Sequence, residues 1–153
     1  MMKKLHIFLL FVTGCFYING MKAQDGESLK DINDMVLRFT SQLESGKSFE
    51  VINSIIDSIS GDESKSFAQT LDLDIEYYIT AFGNNRIFTL TLKVSGSNNE
   101  EIENSSAFTK PSYPFITLKP SVATSFGFIV HVKKYSGEFS SGHYAVIIYR
   151  KVK

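Results

Sequence analysis

The residues of this 153-residue chain best suited to nucleophilic or metal chemistry are its single cysteine and three histidines. A thiol acts as a nucleophile when a base lies within hydrogen-bond reach. Cys15 sits in an apolar stretch near the start, far along the chain from His131 and His143. Two imidazoles on one metal need ligand bonds near ~2.1 Å. If the last two strand segments form a hairpin, Tyr135 opposes His143, and His131 falls on the order of 13 Å further along. That spacing excludes a shared ion, so no metal site is expected. Asp72, Asp74 and Glu76 form an acidic stripe without the glycine and terminal glutamate of a calcium loop, and it reads as a solvated strand face. There is no Gly-x-Ser-x-Gly elbow and no glycine-rich phosphate loop before a helix. Paired carboxylates for glycoside hydrolysis leave no sequence mark. No catalytic residue and no cofactor are therefore assigned.

The segment Gly142-His143-Tyr144-Ala145-Val146 resembles the histidine box of ubiquitin-specific cysteine proteases, where a histidine opening a strand activates a cysteine. The resemblance implies a base at His143. It finds no thiol to act on, because Cys15 belongs to a leader, and His143 is expected simply to open a strand.

That leader reads in the order of a secretory signal. Lys3 and Lys4 give a basic start, residues 5–12 are apolar except for His6, and Met21-Lys22-Ala23 offers a cleavage site at Ala23. Asn19-Gly20 closes the apolar run before it reaches the ~20 residues that span a bilayer. Val12-Thr13-Gly14-Cys15 resembles the lipobox of bacterial lipoproteins, which would make Cys15 the lipidated first residue. The expectation is a bacterial protein, exported to the periplasm or outside. Residues 1–23 form a signal peptide, and an outer-membrane lipoprotein anchored through Cys15 is the alternative.

Cleavage changes the charge. Lys3, Lys4 and Lys22 leave with the leader, which reduces 16 basic residues to 13 against 16 acidic ones, a net of −3. Nothing there attracts nucleic acid or an anionic membrane. The mature chain has no cysteine and must fold on its core alone. Residues 24–153 are enough for one domain.

The elements follow from periodicity. Leu29, Ile32, Met35, Val36, Phe39 and Leu43 recur at helical spacing behind Ser28, and Ser45-Gly46-Lys47 interrupts them. Phe49, Val51, Ile52, Ile55, Ile56 and Ile59 continue the spacing, which predicts a second helix or one kinked helix. The period then changes to two. Residues 71–80 predict a long strand, joined through Gly83-Asn84-Asn85 to a hairpin partner over 87–94. Residues 96–104 read as a mobile polar loop. Residues 115–118, bracketed by Pro114 and Pro120, predict an edge strand. Residues 126–135 and 143–152, joined by 136–142, are the last strands.

Helices first and strands afterwards predict an α+β fold: an N-terminal helical pair packed on a four- to five-stranded, mostly antiparallel sheet. In element order it resembles cystatin-like or NTF2-like folds. Tyr78, on the outer face of its strand, and Phe108, Tyr113, Phe139 and His143, on or beside the loops 96–113 and 136–142, are the candidate binding residues. They point to a non-enzymatic module (an inhibitor, immunity-type or accessory protein) that engages another protein. The alternatives are a carrier with an apolar ligand in the helix–sheet cup, or a hydrolase using unmarked carboxylates.

Overall fold

A computed structural model describes residues 25–96, 101–107 (backbone only) and 113–152. The leader, with Cys15, and Phe108 lie outside them. One helix, α1 (25–45), precedes eight strands: β1 (Phe49–Ser60), β2 (Ser64–Leu71), β3 (Tyr77–Gly83), β4 (Ile87–Ser95), β5 (Glu101–Ala107), β6 (Phe115–Leu118), β7 (Thr124–Tyr135) and β8 (Ser141–Lys151). The strands form two four-stranded antiparallel sheets, ordered β1-β8-β3-β6 and β2-β7-β4-β5.

The topology is one long antiparallel hairpin rolled up. β1 pairs β8, β2 pairs β7, β3 pairs β6 and β4 pairs β5, so successive pairs fall on alternate sheets. Rolling then closes β3 onto β8 and β4 onto β7. This is the double-sheet jelly-roll arrangement. The expected helix packed on antiparallel sheet is present, but on a sandwich of two sheets instead of one sheet of four or five strands.

Several expectations are corrected. The second helix is strand β1. Val51 and Ile56 face α1, whereas Ile52 and Ile59 face the opposite sheet. A bulge between Val51 and Asn53 shifts the phase between these sets, so a strand buried on both faces imitates helical spacing. The strand expected over 71–80 is two strands. Between them Asp74 turns with φ 62° and its N–H donates to the Pro120 carbonyl. Finally, β3 and β4 are not a hairpin, nor are β7 and β8, because each pair is split between the sheets. Residues 101–107, expected within or beside a mobile loop, pair with β4.

The core lies between the sheets. Tyr77, Ile79, Ile116, Tyr144, Val146 and Ile148 from the first sheet meet Leu90, Leu92, Val94, Phe126, Phe128 and Val130 from the second. A smaller core lies under the helix. There Ile32 and Val36, with Met35, Phe39 and Leu43 beside them, cover Phe82, Ala145 and Ile147. Leu29, expected on the inward face, is 42% exposed. Strand β8 is buried on both faces from Tyr144 to Tyr149, hence its near-continuous apolar run.

Candidate functional site

The sandwich end at the β3–β4 connection carries a cluster of hydrogen-bonded polar groups. Asn84 is its knot. Its N–H donates to the His143 carbonyl at 2.9 Å, and its side-chain oxygen accepts from the Arg86 N–H at 3.3 Å. Its amide donates to the Ser28 hydroxyl in the first described turn of α1. That hydroxyl lies 2.7 Å from His143 Nδ1. Asn84 fills one lone pair of Ser28, and the imidazole tautomer sets which of Ser28 Oγ and His143 Nδ1 donates in the bond between them. Burial pushes the His143 pKa below its ordinary value. Arg86 acts in the same direction, while Asp25 and Asp57 oppose it.

Ser28 and His143 are at the distance a nucleophile and base require. Ser28, however, is only 2% exposed, and an amide donor holds its oxygen. A substrate carbonyl has no approach to it, and the pair works as a clasp that fixes α1 to the sandwich. Beside it Arg86 lies under Phe139 with 4.9 Å from guanidinium to ring centroid, and 3.5 Å from the Asp25 carboxylate. Glu27, Ser28, Asn85, Arg86 and Phe139 line a small cleft of about 160 Å³.

A larger groove of about 410 Å³ runs along the flank of α1, lined by Asp31, Met35, Arg38, Phe39, Gln42, Phe82 and Tyr113. The apolar lining follows from two periodicities. Met35 and Phe39 are one helical turn apart, and Phe82 continues the outer face that Tyr78 begins on β3. Phe82 packs edge-on against Tyr113 and tilted against Phe39, each with centroids 5.7 Å apart. Tyr113 is 44% exposed, so the groove presents an aromatic wall. Asp31 joins this groove to the polar end, because its carboxylate also accepts from the Asn85 N–H at 3.1 Å.

Beyond Phe39 the aromatics continue across the sheet. Phe39 meets Tyr149 at 5.9 Å, Tyr149 stacks on Tyr78 at 5.5 Å, and Tyr78 stacks on Phe115 at 6.1 Å. Phe49 packs edge-on against both tyrosines. The Tyr78 hydroxyl donates to Glu76 at 2.5 Å, which raises the tyrosine pKa.

The expected binding residues therefore separate into two places. Tyr78 and Tyr113 lie on the aromatic flank, Phe139 and His143 at the polar end. Met35, Phe39, Phe82, Phe115 and Arg86 join them, none of which stood out in the sequence as surface residues. Alternation along β3 was the one available signal for Phe82. Among the described residues no group of three His, Cys, Asp or Glu is placed to hold a metal ion. His131 and His143 belong to different sheets and not to the two arms of a hairpin. The acidic stripe is not a strand face. Asp72 is 3.4 Å from the Tyr77 hydroxyl and 3.9 Å from Arg150, and Asp74 occupies the turn.

No helix among the described residues is long and apolar enough to cross a membrane. No protein family and no curated protein matches the sequence. Solved structures do. The pre-peptidase C-terminal domain of a Bacillus anthracis collagenase is 14% identical, covering 63% of this chain and 87% of its own, with a TM-score of 0.48. The Aeromonas hydrophila periplasmic inhibitor of g-type lysozyme is 7% identical, covering 69% and 87%, at 0.44. A surface-associated copper-binding protein of Methylomicrobium album BG8 is 8% identical, covering 62% and 92%, at 0.47. Likeness at this level assigns the chain to no family and carries no argument about activity.

Proposed function

We propose that this chain is an exported, non-enzymatic binding module that holds another protein against the aromatic flank of α1. The groove formed by Met35, Phe39, Phe82 and Tyr113, rimmed by Asp31 and Arg38, is the observation that carries the reading. Aromatic side chains, methionine and arginine are the residues enriched at protein interfaces, and aromatic anchors in well-packed pockets supply most of the binding energy. A sandwich buried on both sides of its central strands supplies a rigid base for them. The secretory order of residues 1–23 supports export, and the intact mass of the cellular product tests it: a chain beginning at Met1 removes the compartment.

The partner-binding test uses the chain as bait in an envelope extract, with captured protein identified by mass spectrometry and its affinity then measured. Tyr113→Ala is expected to weaken that affinity by about thirtyfold, the loss of a hot-spot residue. Arg38→Glu is expected to weaken it as well, and Phe139→Ala, at the polar end, to leave it unchanged. Equal affinity for Tyr113→Ala and the parent chain would remove the groove from the proposal. The groove volume also lies within the range of small-molecule sites, about 300–1,000 Å³, which favours an apolar-ligand carrier as the second reading. A co-purified small molecule seen by native mass spectrometry and lost in Tyr113→Ala would decide for the carrier.

A further inference from the structure

Among the described residues the sandwich has four edge strands, and three carry features that discourage pairing with another chain. β2 turns Lys65 and Gln69 to the same face as Phe67 and Leu71, which places an inward charge at the edge. β6 is four residues long and lies between Pro114 and Pro120. β5 holds Glu101 and Glu103 in its sequence. β1 differs. It is 12 residues long and contains neither lysine nor proline; of its two carboxylates Glu50 is paired with Arg150 of β8, and only Asp57 lies in the regular part of the strand, which among the described residues pairs on one side only, with β8. Its bulge lies at Val51 to Asn53, so the pairing is regular from Asn53 to Ser60. That stretch carries Ile55, Ile56 and Ile59, with Asp57 as its one charge. A long apolar edge of this kind is a template for strand addition.

We propose that β1 pairs with β1 of a second copy of this chain, antiparallel about a two-fold axis, joining two four-stranded sheets into one. The charges along the edge favour this occupant. Lys47 and Lys151 lie at the start of β1, with Arg150 held by Glu50 at 3.0 Å. Asp57, Asp62 and Glu63 lie at its end, with Lys65 3.7 Å from Glu63. An edge that is basic at one end and acidic at the other complements its own antiparallel copy. Residues directly opposite must share a face, which leaves registers centred on Ile55, Ile56 or a near neighbour. Centring on Ile55 or Ile56 keeps each Asp57 away from its counterpart. Centring on Asp57 would oppose two carboxylates. This interface is separate from the groove along α1 and stands or falls without it.

Sedimentation equilibrium of the purified chain over a range of concentrations is the test. A monomer–dimer equilibrium is expected. Ser54→Lys/Ser58→Lys, which adds charge at exposed edge positions, should leave only monomer with an unchanged circular dichroism spectrum. Lys47→Glu should weaken the dimer, and adding Asp62→Lys to it should restore pairing, since the swapped charges are again complementary. Hydrogen exchange should slow in β1, and in no other edge strand, as concentration rises. A parent chain that stays monomeric, a dimer indifferent to the paired lysines, or protection at another edge would each overturn the proposal.

Discussion

The surroundings of His143 disfavour its protonated form, which gives the fold a pH dependence of definite sign. Burial lowers its pKa in the folded chain below the ordinary 6.5, so between the two values the unfolded chain binds a proton that the folded chain does not. The stabilisation is complete above the ordinary value and is lost as pH falls through the folded one. Urea midpoints measured between about pH 7.5 and 5.5 should therefore fall with acidification, and less steeply in His143→Gln. Equal slopes would show that the clasp does not depend on the neutral ring. Asn84 is the more costly residue to lose. Asn84→Ala strips a donor from the buried Ser28 hydroxyl and an acceptor from the Arg86 N–H, and should cost about 1–3 kcal/mol in equilibrium unfolding.

At the scale of elements, the β3–β4 connection and the start of β8 approach so closely that side-chain size decides stability. A Cβ on Gly142 would lie 2.9 Å from Asn84 Oδ1 and 2.9 Å from Ile87 Cγ1. Neither atom can yield readily, because Asn84 is held by hydrogen bonds and Ile87 is in the core. Gly142→Ala should cost about 1–3 kcal/mol by overpacking. Gly26→Ala, on an exposed turn of α1 with open space around it, should instead gain up to about 1 kcal/mol. Thermal melting of the two variants in opposite directions checks both. These elements also mark what a sequence can and cannot disclose. Residues 28–43 were legible as a helix from their three-and-four spacing, 87–94, 115–118 and 126–135 as strands from alternation of side chains, and 143–152 as a strand from a short apolar run opened by a turn. β1 was not, since burial on two faces plus a bulge overwrote its alternation. Asp72 to Glu76 continued an alternation through a turn. Pairing was illegible for a different reason: every strand connection except β4–β5 crosses between sheets, and nothing in a turn such as Gly83-Asn84-Asn85 distinguishes a crossing from a hairpin. The groove shared that fate, because Tyr113 and Phe82 meet only after the roll is complete.

For the whole molecule, the rolled hairpin ties distant parts of the chain into one cooperative unit. β1 near the start pairs β8 at the end, and β8 belongs to both cores: Ala145 and Ile147 face α1, while Tyr144, Val146 and Ile148 face the opposite sheet. Loosening either core should therefore unfold both. Ile32→Ala, at the helix contact, removes a fully buried side chain and should cost about 2–5 kcal/mol. Phe128→Ala, in the core between the sheets and stacked on Phe67 at 5.1 Å, should cost about 3–5 kcal/mol. Either is a large share of the 5–15 kcal/mol that holds a typical domain together. The chain has no tryptophan, so tyrosine fluorescence and far-ultraviolet circular dichroism are the natural probes. Both should give one midpoint in urea for each variant, shifted by the same amount whichever core was cut. A helix signal lost ahead of the tyrosine signal in Ile32→Ala would mean that α1 is an appendage, and that β8 does not transmit the loss across its two faces.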